Sequence, residues 1–273
     1  MKFARTFSVF FVILSCAAVA WPAGLDRAPA PAPAVTDLPA GPSSARMSPV
    51  LRGPLLAAPT FFGQPSDVTA DAVLGQPDFV SDADTGPCRT RIGYPMGSAY
   101  FVRGDSHYLF VVDQTYSRIL IFDKADRITN GQPAFAVIGQ GTFDFGSANR
   151  TNPAPYAESL HSPADLFVDE RGDLYVADYG NNRVLVFLDP LATDFAADSV
   201  FGQNNSFTSR TANLGGIGPS SLRGPLSVAV DLERNVYVAD ALNNRVLIFF
   251  DPLNTDLAAD RVLGQGDSFA SSA

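Results

Sequence analysis

Groups able to do acid–base, nucleophilic or metal chemistry are few in this chain. Its 273 residues hold two histidines and two cysteines. His107 and His161 cannot assemble a zinc centre built on three histidines. Cys88 sits in a long loop with no histidine beside it to draw out a thiolate. No G-x-S-x-G elbow presents a serine nucleophile. Carboxylates are the abundant polar group, and Asp67, Asp71, Asp78, Asp82 and Asp84 fall close together. Calcium takes carboxylate and carbonyl oxygens. The cluster lacks the D-x-[DN]-x-[DN]-G spacing, which favours a solvated acidic loop over a calcium site, so no cofactor is expected. Asn149-Arg150-Thr151 and Asn204-Asn205-Ser206 are formal glycosylation sequons, patterns short enough to arise by chance.

One polar pair does recur. Asp113 and Arg118, Asp178 and Arg183, and Asp240 and Arg245 share a spacing, and the two later pairs enclose Asn181-Asn182 and Asn243-Asn244. A catalytic group is needed once, whereas a residue repeated in every unit serves the unit. Each Asp can accept backbone N–H bonds in its turn and face its Arg across a hairpin, with Asn182 and Asn244 supplying the left-handed backbone that tight hairpins need. These eight residues are therefore expected to be structural.

The elements that carry the pair repeat as well. Tyr175-Val176-Ala177-Asp178 returns as Tyr237-Val238-Ala239-Asp240, and Val111-Val112-Asp113 is a looser copy. Each copy holds four short apolar runs rich in Val, Ile, Phe and Tyr, which is strand composition and strand length. Runs such as Val184-Leu185-Val186-Phe187-Leu188 do not alternate, so they imply burial on both faces. Parallel sheets also bury both faces, but they need long crossovers, and nothing between the runs has helical periodicity. Four-stranded antiparallel blades packed between neighbours satisfy both facts. The expected fold is all-β, a β-propeller with three clear blades at about 95–140, 163–203 and 225–265. An extra strand at 72–76, ending in the same Gly-Gln as each blade, precedes them.

The V-A-D-x-x-N-N-R-V run and the following Gly-Gln strand resemble the NHL repeat over about residues 72–265. The first copy departs, with Gln114-Thr115-Tyr116-Ser117 where the others end in Asn-Asn. The resemblance is to bacterial extracytoplasmic members, and it implies a propeller that binds proteins, peptides, glycans or RNA. A minority of the family are enzymes, among them a peptide-amidating lyase. Three blades do not close a ring of the usual four to eight. Three readings stay open: a piece of a longer protein, closure by another chain through self-association or downstream blades, or a small ring that uses residues 51–76.

Lys2 and Arg5 precede an apolar stretch and Ala18-Val19-Ala20, the pattern of a secretory signal peptide over residues 1–20. A lipoprotein attached through Cys16 is the alternative. Residues 21–60 are rich in proline and alanine, an extended spacer, and 61–273 form the propeller. The chain is thus expected to be exported, to a secreted, periplasmic or cell-surface location, with no transmembrane anchor once processed. The formal charge of −9 becomes more negative without the leader, which argues against nucleic acid as partner. Three loops, 77–94, 141–162 and 204–224, are much longer than their connections require. Long loops on a rigid scaffold tend to carry binding, and Phe143, Phe145, Arg150, Tyr156 and Arg210 are the aromatic and Arg anchors they offer. The leading function is a non-enzymatic scaffold for a protein, peptide or glycan. A propeller lyase or hydrolase with a carboxylate-bound metal and a purely structural repeat are the alternatives.

Overall fold

Twelve strands follow one another with almost no helix. In the computed structural model, which describes residues 70–81 and 85–271, they are β1 (Pro95–Arg103), β2 (Ser106–Asp113), β3 (Arg118–Asp123), β4 (Ala136–Ile138), β5 (Asp165–Val168), β6 (Leu174–Asp178), β7 (Arg183–Phe187), β8 (Ser199–Phe201), β9 (Pro225–Val230), β10 (Val236–Asp240), β11 (Arg245–Phe249) and β12 (Arg261–Leu263). They form three four-stranded antiparallel sheets, each in sequence order. The leader, the proline-rich spacer, residues 51–55, Asp67, Asp82 and Asp84 lie outside the described residues.

The register repeats from sheet to sheet. Asp113 pairs with Arg118, Asp178 with Arg183 and Asp240 with Arg245 at the end of each central hairpin. The outer strands are shorter than the apolar runs predict. Each stops before its Gly-Gln because Gly139, Gly202 and Gly264 take φ of 91°, 88° and 94°, a conformation that ends a ladder and that L side chains resist. A Cβ at Gly202 would also strike the Leu222 side chain at 2.7 Å. Ala72–Gln76, expected as a strand, makes no ladder among the described residues. Its Gly75 nonetheless has a φ of 83°, with Ile92 where Leu222 stands beside Gly202.

Sheets stack on one another through their apolar faces. β5 adjoins β1, and β9 adjoins β5 and β6. Between the first two sheets, Phe110, Val112, Ile119 and Ile138 meet Leu166, Val176, Leu185 and Phe187. Between the second and third, Tyr175, Val184, Val186 and Phe201 meet Val228, Val238, Leu247 and Phe249. The Phe201 and Phe249 rings pack edge to face at 5.0 Å, a favoured aromatic geometry. The central strands β6 and β7 are therefore buried at every position, which accounts for their unbroken apolar runs. Stacked four-stranded meanders of this kind are blades of a β-propeller, here a partial one.

Candidate functional site

The Asp–Arg pairs close the central hairpins of the three sheets, and both side chains of each pair are buried. The Asp178 carboxylate accepts the Arg183 Nε–H at 2.8 Å, the Asn181 side-chain amide at 2.8 Å and the His161 backbone N–H at 2.7 Å. The third blade repeats this with Arg245, Asn243 and the Arg223 N–H on Asp240. The first repeats it with Arg118 and the N–H groups of Gly93 and Tyr94 on Asp113. Three or more charge-assisted bonds per carboxylate keep the ion satisfied without water.

The guanidinium does more than pair. One Nη of Arg183 donates to the Phe207 carbonyl in the loop leaving its blade, and the other donates to Tyr156 and Ser159 carbonyls in the loop entering it. Arg245 does the same with Phe269, Gly218 and Ser221, and Arg118 with Phe143 and Arg91. Each repeat arginine is thus a clamp that fixes two long loops by their backbones. The glutamine of each Gly-Gln completes the arrangement. Gln140, Gln203 and Gln265 donate to the carbonyls of Ser117, Asn182 and Asn244 at the hairpin tips. Those tip residues have φ of 48°, 53° and 52°. Ser117 therefore substitutes for the repeat asparagine in the left-handed region. Tyr116, where the other blades have Asn181 and Asn243, lies under the Arg118 guanidinium at 5.1 Å.

The loops also span the outer edges of the sheets. The N–H groups of Ala134, Ala197 and Ala259 donate to carbonyls of Arg89, Ala157 and Pro219. The ends of these loops consequently belong to the framework. Between the second and third sheets they leave a groove of about 370 Å³ lined by Val200, Asn204, Asn205, Ser220, Asp256 and Leu257.

The five expected anchors separate in this geometry. Phe143 is part of the framework: its carbonyl is held by Arg118, its ring packs on the first sheet, and Arg89 lies 4.8 Å over it. Phe145 is 60% exposed. Arg150 lies 5.6 Å over the Tyr156 ring, an arrangement that leaves an aromatic and a cation side by side. Arg210 is exposed, and its carbonyl accepts from Asn182. Asn149, Arg150 and Thr151 all have positive φ, at 49°, 51° and 69°. Asn149 is locked by a reciprocal amide pair with Asn181 and by Ser159. It is 1% exposed, so the sequon it opens offers no accessible amide to a glycan. The third blade makes the same amide pair between Asn213 and Asn243, and Asn213 shares the positive φ of Asn149, but there the left-handed region resumes only at Gly215 and Gly216, with Leu214 outside it.

A residue that spacing did not single out stands where the innermost strands meet. Asp165 of β5 accepts the Ser227 hydroxyl at 2.6 Å and the Val228 N–H at 3.4 Å, and Gly97 of β1 abuts its Oδ1. Gly97, Asp165 and Ser227 each lie two residues after a proline, at Pro95, Pro163 and Pro225. Burial raises the Asp165 carboxyl above its ordinary range, partly offset by the Ser227 hydrogen bond. Aligning the three inner strands would have exposed it as the one carboxylate in a slot otherwise filled by glycine and serine. Among the described residues no three His, Cys, Asp or Glu side chains converge as a metal site, and no helix is long and apolar enough to cross a membrane.

Comparison with known proteins gives the repeat its name. The NHL repeat family matches residues 160–187, which span the second blade from its entry loop through β7. Over 91 residues the chain is 33% identical to NHL repeat-containing protein 3 of Homo sapiens, covering 32% of this chain and 22% of that protein. The Mus musculus protein of the same name matches equally. The chain thus spans about a fifth of these relatives' length. Among solved structures, a streptogramin B lyase is similar with a TM-score of 0.33 and 13% identity, over 57% of this chain and 37% of that one. Kuenenia stuttgartiensis hydrazine synthase is similar with a TM-score of 0.40 and 12% identity, over 68% of this chain and 40% of that one.

Proposed function

We propose that this NHL-repeat chain is a non-enzymatic, exported binding module whose clamped loop rim takes a protein, peptide or glycan. The observation that carries the reading is the placement of Arg150. A left-handed backbone costs a non-glycine residue roughly 1–2 kcal/mol, and the matching turn of the third blade enters that region at Asn213, Gly215 and Gly216 but not at Leu214, which stands in Arg150's place. In the second blade that conformation is spent on an arginine stacked beside Tyr156, on a loop whose ends are fixed by Arg183 and Asn181. Strained backbone over-determined by its surroundings is a feature of ligand clamps. A guanidinium beside an aromatic ring suits a carboxylate-bearing or hydroxyl-rich ligand, with exposed Phe145 on the same loop.

The test uses the full chain on an array of neutral and acidic oligosaccharides and extended peptides. The double variant Arg150→Ala, Tyr156→Ala should lose at least tenfold in affinity for whatever the wild type retains. Its melting temperature should stay close to the wild-type value. Retention of full affinity by the double variant, or no retention of any probe by the wild type, would overturn the assignment.

A further inference from the structure

The groove between the second and third sheets has a fixed frame. Gln203 bridges to Ser221, and its side-chain amide donates to the Asn182 and Thr211 carbonyls. Arg245 holds the Gly218 and Ser221 carbonyls, and the Pro219 carbonyl accepts the Ala259 N–H. Four polar side chains stand on this frame. Asn204 and Asn205 come from the loop leaving the second sheet, Ser220 from the loop entering the third, and Asp256 from the connection between β11 and β12. Asn204 and Asn205 are exposed, and neither amide has a hydrogen-bond partner among the described residues. Asp256 commits one oxygen to the Ala258 N–H.

Three of these four depart from the repeat. After Gly-Gln the first and third sheets have Gly141 and Gly266, where the second has Asn204. Asn204 takes a φ of 48° and Gly266 one of 54°, a region that glycine enters without steric cost. Asn205 replaces Thr142 and Asp267, and Ser220 stands where the junction of the first two sheets has Glu158. Asp256 does have a counterpart, Asp194, which makes the same turn bond. A residue present in every unit serves the unit, so the two asparagines and the serine call for another role. We propose that this groove binds a neutral saccharide. Amides, a hydroxyl and a half-committed carboxylate together donate and accept, as vicinal sugar hydroxyls require. Leu257 and Ala258 offer an aliphatic surface to the C–H face of a ring. The lining holds no cationic side chain, so an acidic sugar would meet Asp256 without a partner for its own charge. A volume of about 370 Å³ is at the lower end of small-molecule sites, which begin near 300 Å³, and suits a short saccharide. The site is separate from Arg150 and Tyr156 and does not depend on what they bind.

The experiment measures saturation transfer by NMR from the full chain to cellobiose, lactose, mannobiose and N,N′-diacetylchitobiose. A hyaluronan disaccharide serves as the acidic comparison. At least one neutral probe should bind saturably, with the acidic probe at least tenfold weaker. The double variant Asn204→Gly, Asn205→Gly keeps a backbone free to turn left-handed and removes both amides. It should lose at least tenfold in affinity for that probe while its melting temperature stays close to the wild-type value. Ser220→Glu, which installs the residue of the other junction, should abolish binding and provides a second reading if the glycine variant does not fold. Arg150→Ala with Tyr156→Ala should leave affinity for the neutral probe unchanged. Saturable binding by none of the neutral probes would overturn the proposal. So would equal binding of the acidic probe, or full affinity in the glycine variant or in Ser220→Glu. Loss of neutral-sugar binding in the Arg150, Tyr156 variant would also overturn it, because the sugar would then belong to that pair.

Discussion

An aspartate and an arginine with no exposed side-chain surface are costly to bury unless hydrogen bonds replace the lost water. Asp178 and Arg183 find those bonds in one another, the Asn181 amide, the His161 N–H and three loop carbonyls. Removing one member strands the other in a dry site, which costs about 3–5 kcal/mol. Asp178→Ala should therefore lower unfolding stability by that amount in a denaturant titration. A loss below about 1 kcal/mol, the worth of an exposed pair, would show that water reaches the site. Arg183→Lys should be nearly as damaging, since a lysine cannot hold a carboxylate and two loops at once. Arg150 has the opposite balance. Its φ of 51° suits glycine, so Arg150→Gly should be more stable than Arg150→Ala by about 1 kcal/mol. Paired thermal melts of the two variants decide this, and equal stability would mean that the loop relaxes out of the left-handed region once the arginine is gone.

Where elements meet, the inner strands converge on Asp165. Its carboxyl sits above the ordinary carboxylate range, chiefly because burial disfavours the charged form, with hydrogen bonds from Ser227, Leu166 and Val228 pulling the other way. The folded protein then binds this proton more tightly than the unfolded chain. Stability is fully retained below the unfolded value of about 4 and falls as pH rises through the interval up to the folded value. Asp165→Asn removes the titration, so it should melt higher than the wild type at neutral pH, with the gap closing below about pH 4. A variant that melts lower at pH 7 would show that the ionised carboxylate is on balance stabilising through Ser227. The inner strand also shows what a linear sequence can and cannot convey. Strands, hairpins and repeat were legible because each leaves a local mark: unbroken apolar runs for doubly buried β6 and β7, Asn-Asn for a left-handed hairpin tip, Gly-Gln for the end of an outer strand. The arginine clamp was legible only as a pair with aspartate. Its other targets are the carbonyls of Phe207, Tyr156 and Ser159, and a carbonyl is present at every residue. Phe143 reads as a loop anchor for the same reason, although its backbone is held by Arg118 and its ring packs inward. The left-handed turn at Arg150 was hidden because arginine carries no signal for positive φ, unlike glycine or asparagine.

At the scale of the three sheets, stability should follow how many faces each one buries. The second sheet is covered on both sides and includes Val176, Val184, Leu185 and Val186 with no exposed surface. The first is covered on one side by the second and on the other by Leu74, Ile92 and Phe143. The third packs on one side, and its Leu226 and Leu263 are about half exposed. The second and third sheets have closely similar hydrogen-bond ladders and the same buried Asp–Arg pair, so the covered apolar area is what separates those two. At about 25 cal/mol per Å², a sheet face of four short strands, on the order of 300 Å² in projection from strand spacing and rise, amounts to several kcal/mol. Local opening free energies span from near zero to the global value in cooperative units, and a blade is such a unit. Native-state hydrogen exchange should accordingly rank the amides of β6 and β7 as slowest, those of β2 and β3 next, and those of β10 and β11 fastest, with the third sheet opening several kcal/mol below the second. Equal protection across all three sheets would mean that they unfold as one unit and that the half-covered face carries no deficit. Protection of β10 and β11 matching β6 and β7 only at high protein concentration would show the face being covered by association.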